Sequence, residues 1–456
     1  MITSEKETAA GRHVTPAENA AAPARRAMPV LPPQKSASLG RRAVWGLRLL
    51  LGAAAAVPVL AFMVWFNYTV DCSGLFHGDV YTREAAAMLL EGKNVDNYAS
   101  MDERELSKLI VGQMEKTPDT VTLGSSRALQ LTAEAAGTDD YFNFGMTAGD
   151  FYDLLGTMYL FVEKGDLPKN MILCIDPWLL NATGTADTYR SDKNLYNTFL
   201  SVCLGENVTY TQENKDDLWK ALISPSYFQG NWHYYVHESR TSSKPQSVTG
   251  SAYDNNTTEI KCSDGSVHYT LAMRSRTAED AEAEAVTMTG TLAWCDGYTQ
   301  PDAERMRLLE KAIEYMQQKG VNVYIVLTPL HPFMYEYALT YPADNLGLLR
   351  SEDAVRSVAA ACDTPVYGSY DPHILSGVTK DDFYDGVHCT AACIEKIWPG
   401  ITQAQANRAA GIDPADSLSM TVDDDIYTQL QLRCGPDVAE QMRTLLPLTV
   451  TESGAG

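Results

Sequence analysis

The sequence predicts a three-layer α/β domain built on a mainly parallel sheet. Three observations lead there. Short apolar runs stand at Thr120–Leu123, Met171–Ile175 and Val321–Leu327. Residues at helical spacing precede each of them, and Gly165 and Gly320 punctuate two of the joins. The runs barely alternate between apolar and polar residues, as expected of strands covered by helices on both faces.

Residues 1–42 are rich in Ala, Pro and Arg, show no hydrophobic period, and read as a disordered tail. Residues 43–66 read as a transmembrane signal anchor. No charged residue lies between Leu49 and Phe66, Ala43–Leu47 extends the run beyond Arg48, and Trp45 and Trp65 flank it. Together these approach the roughly 20 apolar residues that a membrane helix needs, with aromatics at its two ends. Eight Lys and Arg against three Glu precede Leu49, a net charge of +5. The positive-inside rule makes that side cytoplasmic and the main body extracytoplasmic. A cleaved signal peptide would need a shorter basic region and a small-residue cleavage site.

The 456-residue chain has 45% hydrophobic and 21% charged residues, a globular balance. Its net charge is -22, so about -27 falls on the part beyond the apolar run. Such a body repels phosphate backbones, which argues against nucleic-acid binding. The nine cysteines are too few for a disulfide scaffold. Disulfides are permitted outside the cell, and the odd count leaves at least one thiol unpaired within the chain. Cys389 and Cys393 lack a second pair, so no zinc site is expected, and no metal or cofactor motif appears elsewhere.

Residues 67–117 read as a juxtamembrane helical segment. Ser100 and Glu103 form a capping-box pattern ahead of Leu106, Leu109, Ile110 and Met114. The α/β domain spans 118–408. Its second helix carries Leu154, Leu155, Met158, Phe161 and Val162, and its third runs from Asp302 to Lys319. Between about 183 and 290 the pattern breaks into turn clusters, a cap-like insertion with Tyr227, Phe228, Trp232, Tyr234 and Tyr235. Those aromatics either form the insertion's own small core or offer a surface on which sugar rings stack. Residues 409–456 read as a helical appendage.

In parallel sheets, sites form at the carboxyl ends of the strands. Three segments there matter. Gly124-Ser125-Ser126-Arg127 follows the first strand, where a serine hydroxyl is exposed ahead of a helix N-terminus. Asn143, Gly145, Gly149 and Asp150 lie in NFGMTAGD, where a glycine admits close approach of backbone amides and Asp150 suits an N-cap. Asp385, Gly386 and His388 lie in FYDGVHCT, a spacing that lets the carboxylate fix the imidazole tautomer. His373, two residues after Asp371, is a competing base.

Taken in order, these segments resemble the serine, glycine and histidine blocks of the SGNH/GDSL hydrolase superfamily. The resemblance covers about 118–182 and 300–400. It implies Ser126 as nucleophile, Asp385 and His388 as the other catalytic residues, and the amides of Ser126 and Gly145 as oxyanion donors. Ser125 stands where the family often has Asp. The family's third block usually ends in a G-x-N-D turn, but here the strand ends in Asp176-Pro177-Trp178. The side-chain oxyanion donor is therefore missing or supplied otherwise, with Asn181 a candidate.

The chain is most similar to the membrane-anchored cell-envelope branch, which includes the D-alanyl-lipoteichoic acid transfer protein and alginate O-acetylation proteins. Further local likeness lies in LTPLHP, with His331, and in WCDGY, with Asp296 and Gly297. The resemblance implies a serine O-acyltransferase or esterase acting on acyl esters of cell-envelope glycopolymers, supplied by a lipid-linked or membrane-delivered acyl donor. Arg127, Asn143 and His331 are candidate substrate contacts, Arg127 with a carboxylate of the fold as its alternative partner. The alternative function is a non-catalytic SGNH-like partner of a multi-spanning membrane acyltransferase. No cofactor is expected.

Overall fold

The computed structural model describes residues 39–71, 76, 80–97, 101–184, 191–208, 219–233, 235–236, 245–289 and 293–418. Most of the expected tail and most of the C-terminal appendage lie outside them, as do Cys72, Ser100, Tyr234 and Cys434. The chain divides into two units, Met1–Phe62 and Met63–Gly456. A helix spans Leu39–Val70 and so begins inside the stretch read as tail. Among the described residues no helix is long and apolar enough to cross a membrane, and parts of the apolar run (43, 49–51, 53 and 55) are not among the described side chains.

The second unit holds a five-stranded, all-parallel sheet flanked by helices. Its strands are β1 (Thr120–Leu123), β2 (Tyr141–Asn143), β3 (Asn170–Cys174), β6 (Asn322–Leu327) and β7 (Val366–Gly368), in the spatial order β2-β1-β3-β6-β7. β4 (Ile260–Lys261) and β5 (Val267–His268) form a separate antiparallel hairpin in the insertion. Alternate strand residues serve two cores. Met171 and Leu173, with Val323, Ile325 and Leu327, face the helices Glu103–Gln113, Phe151–Lys164, Ala303–Gln318 and Leu346–Ala361. Ile172, Cys174, Tyr324 and Val326 face the opposite layer, where Ile394, Ile397, Trp398 and Ala404 pack. Both faces are buried, which explains the near-continuous apolar runs. The architecture is compatible with SGNH-like folds.

Local chemistry sets the helix ends. The helix Phe151–Lys164 starts at a reciprocal capping box between Asp150 and Asp153 and stops at left-handed Gly165. The helix Glu103–Gln113 is capped by Asp102, whose carboxylate accepts the amides of Arg104 and Glu105, while the expected capping residue Ser100 lies outside the described residues.

Of the aromatic group expected in the insertion, Tyr227, Phe228, Trp232 and Tyr235 do not line the candidate site. Phe66 packs against Phe228, Trp232 and Tyr235, with ring centroids 5.2, 5.7 and 5.7 Å apart. Polar contacts stitch the same junction. Asn67 donates to the Leu222 carbonyl at 2.9 Å, and Tyr227 donates to Asp71 at 2.5 Å. The insertion hairpin instead docks on the sheet edge, where the Asn143 amide donates to the Asp264 carbonyl at 2.8 Å. Gly265 makes that approach feasible. Its φ is +79°, and a Cβ there would sit 2.3 Å from the Asn143 carbonyl oxygen.

Candidate active site

The chain runs outward from β1 to β2 on one side and to β3 on the other. The loops after β1 and β3 therefore open a crevice at the switch point, where open α/β sheets bind ligands. Ser126 stands directly after β1. Gly124 lets the turn pass close to β3, since a Cβ there would meet the Cys174 carbonyl oxygen at 2.8 Å. Ser125 caps the turn by accepting the Arg127 amide. The helical turn behind Ser126 is only the single 3-10 turn Ser126–Ala128, so the helix dipole expected there is small.

His388 and Asp385 come from a loop beyond β7. Asp385 Oδ1 accepts the amides of Val387 and His388 at 2.9 and 2.8 Å, a turn closed by its own side chain. Asp385 Oδ2 lies 2.9 Å from His388 Nδ1, and His388 Nε2 lies 2.9 Å from Ser126 Oγ. With Nδ1–H donated to the carboxylate, Nε2 carries the lone pair that faces the serine hydroxyl. Burial alone would raise the Asp385 carboxyl. The His388 ring and the two amides outweigh it and hold the pKa at about 2.

The three side chains open into a cavity of about 300 Å³. Its other walls include Thr147 and Ala148, Asp176 and Trp178 after β3, and Glu259, Tyr269 and Trp294. Trp178 and Trp294 stack with centroids 4.9 Å apart. This space suits a small acyl group better than a long chain. Burial pushes the Glu259 carboxyl upward, with Glu103 adding to it.

Several expected residues take other parts. Gly145 spends its amide on Asn143 Oδ1 at 2.7 Å and does not line the cavity, so it is not placed as an oxyanion donor. Asn143 is fully buried and donates to the carbonyls of Ala128 and Leu131, which makes it a brace between two turns and not a substrate contact. His331 is also buried and outside the cavity. Its Nδ1 accepts the Phe333 amide, its backbone amide holds the Gly386 carbonyl, and its ring packs edge-on to Phe383. It shapes the Asp385–His388 loop. Burial lowers its pKa.

Arg127 lines the cavity but is 2% exposed. It donates to the Thr328 and Pro329 carbonyls and lies over the rings of Trp178 and Tyr370. Asp176 is 3.9 Å from its Nε, the fold carboxylate foreseen as its alternative partner. Asn181 bonds the Trp294 carbonyl and the Thr183 amide and lies outside the cavity. His373 is held between Asp371 and Glu336, with no contact to Ser126.

The second-block loop still reaches the crevice, one turn later than expected. The amides of Ser126 and Ala148 have no acceptor among the described residues. Ala148 adopts a left-handed φ of +49°, unusual for a residue with a Cβ. A buried network holds it there. Arg104 donates to the carbonyls of Thr147 and Ala148 and pairs with Asp153 at 2.6 Å, while Glu103 accepts the Thr147 amide. Both carbonyls are thus taken by Arg104, and Ala148, whose amide keeps no acceptor among the described residues, lines the cavity.

No family model matches the chain, and no curated protein matches it at a significant level. Among the described residues no cluster of three or more His, Cys, Asp or Glu side chains is placed to hold a metal ion. Seven of the nine cysteines are described, all as free thiols.

Proposed function

We propose that this chain is an SGNH-type serine acyltransferase or esterase. The observation that carries the reading is the continuous Asp385–His388–Ser126 hydrogen-bonded chain at the mouth of a small cavity. His388 Nε2 takes the hydroxyl proton as Ser126 Oγ attacks an acyl carbonyl carbon. The carbonyl electron pair moves onto oxygen, and the amides of Ser126 and Ala148 receive that charge. Collapse breaks the bond to the leaving oxygen, which takes the proton back from His388. An acceptor hydroxyl or water then repeats the sequence on the acyl-serine. Asp385 keeps the imidazole oriented and stabilises its cationic form.

The setting assigned to this chemistry is the outer face of a membrane, with the apolar run before Phe66 as anchor and an envelope glycopolymer as acceptor. The lopsided charge supports it, basic before the run and acidic after. One experiment tests both parts. Membranes carrying the full chain are washed with alkaline carbonate, exposed to an aryl acetate, acid-quenched and digested. The expected result is a chain retained by the membrane, with an acetyl group on the Ser126 peptide. The His388→Ala variant should lose about 10²–10⁴ in the rate of adduct formation. Release by carbonate contradicts the anchor, and a folded chain without adduct contradicts the enzyme.

A further inference from the structure

We infer that Asp176 is a catalytic residue that donates a hydrogen bond, as a neutral carboxylic acid, to the oxyanion formed at the Ser126 site. This inference rests on the acyl-transfer reading above. Asp176 directly follows Ile175 at the carboxyl end of β3, beside the turn that carries Ser126. It lines the same cavity as Ser126 and His388 and is 2% exposed. Neither of its carboxyl oxygens has a hydrogen-bond partner. An ionised carboxylate so placed would be costly and would repel the charge that develops beside it.

The groups around it fit the neutral form. Among the described residues Arg127 is the cation beside it on the β1 side, yet its hydrogen bonds go to two carbonyls. Its Nε and Nη1 remain unpartnered although Asp176 is only 3.9 Å away. The guanidinium thus hydrogen-bonds to carbonyls and lies on the faces of Trp178 and Tyr370, and its 3.9 Å ion-pair contact with Asp176 carries no hydrogen bond. Cys174 on β3 and Tyr370 beyond β7 also face Asp176, both deprotonated only at high pH because of burial. From the other loops come His388 and the Ser125 hydroxyl, and across the cavity stands Glu259. Burial raises the Asp176 pKa, and Arg127, Ser125 and His388 offset only part of that effect. As the carbonyl oxygen gains the electron pair it accepts the Asp176 O–H, and on collapse the pair returns and Asp176 keeps its proton.

The test is the pH dependence of kcat/KM for p-nitrophenyl acetate with the full chain in detergent, with Asp176→Asn and Asp176→Ala variants and Ser126→Ala as control. The active form is neutral, so parent activity should fall as pH rises through the Asp176 pKa. Asn keeps a donor and cannot ionise. It should stay within about tenfold of the parent near neutrality and lose that alkaline fall. Ala should lose about 10²–10³-fold. A thermal melt shows which variants are folded. If Ala fails to fold, the Asn profile decides alone. The inference is overturned if folded Ala works within threefold of the parent, if folded Asn is as slow as Ser126→Ala, or if Asn keeps the parent's alkaline fall. Turnover by Ser126→Ala equal to the parent's would instead overturn the acyl-transfer reading itself, and this inference with it.

Discussion

At the scale of single residues, the site depends on a few side chains held by backbone. Asp385 has three calls on one carboxylate, two amides and an imidazole. Its folded pKa of about 2 lies below the ordinary 3.8. A depressed carboxyl contributes stability above its unfolded pKa, and that contribution is lost as pH falls toward the folded value. The difference corresponds to about 2 kcal/mol. Denaturant unfolding should show the parent losing about that much between roughly pH 4 and pH 2, a loss missing from Asp385→Asn. Equal acid sensitivity in the two proteins would contradict the assignment. The Asp385/His388 spacing was legible in the sequence because one turn closes the contact. The parts of Gly145, Asn143 and His331 were not. Whether an amide or imidazole meets substrate or a neighbouring backbone group depends on contacts far away in sequence. Ala148 carries no sequence signal at all, because its left-handed conformation is imposed by Arg104 and Glu103.

At the scale of elements, the strands β1, β3 and β6 could be read from apolar runs bounded by glycine or turn residues, since both of their faces are buried. β2 and β7 have three residues each, too few to show a period. The insertion was legible only as a break in pattern, yet it supplies Glu259 and Tyr269 to the cavity. Its docking depends on Gly265, where an added Cβ would also meet Phe142 Cε1 at 2.6 Å and the Asn143 nitrogen at 2.8 Å. Gly265→Ala should therefore destabilise the fold by about 1–3 kcal/mol and slow ester turnover by displacing the cavity wall. Differential scanning calorimetry with an esterase assay checks this. An unchanged melting temperature and rate would show that the hairpin is not held as described.

At the scale of the whole molecule, charge and hydrophobicity are separated along the chain: a basic N-terminal stretch, an apolar run, then a strongly acidic body with a crevice at the sheet's switch point. Next to that run, Phe66 is gripped by Phe228, Trp232 and Tyr235, while Trp232 and Tyr235 stay about half exposed. The acidic body disfavours anionic polymers as freely diffusing ligands but is neutral toward an uncharged acyl ester. The central claim is an activated serine, and the most direct measurement is labelling of the full chain by a fluorophosphonate probe. Rapid covalent labelling of Ser126 is expected, abolished in Ser126→Ala and slowed at least a hundredfold, roughly, in His388→Ala. A folded parent that resists the probe, or labelling that survives the loss of Ser126, would contradict it.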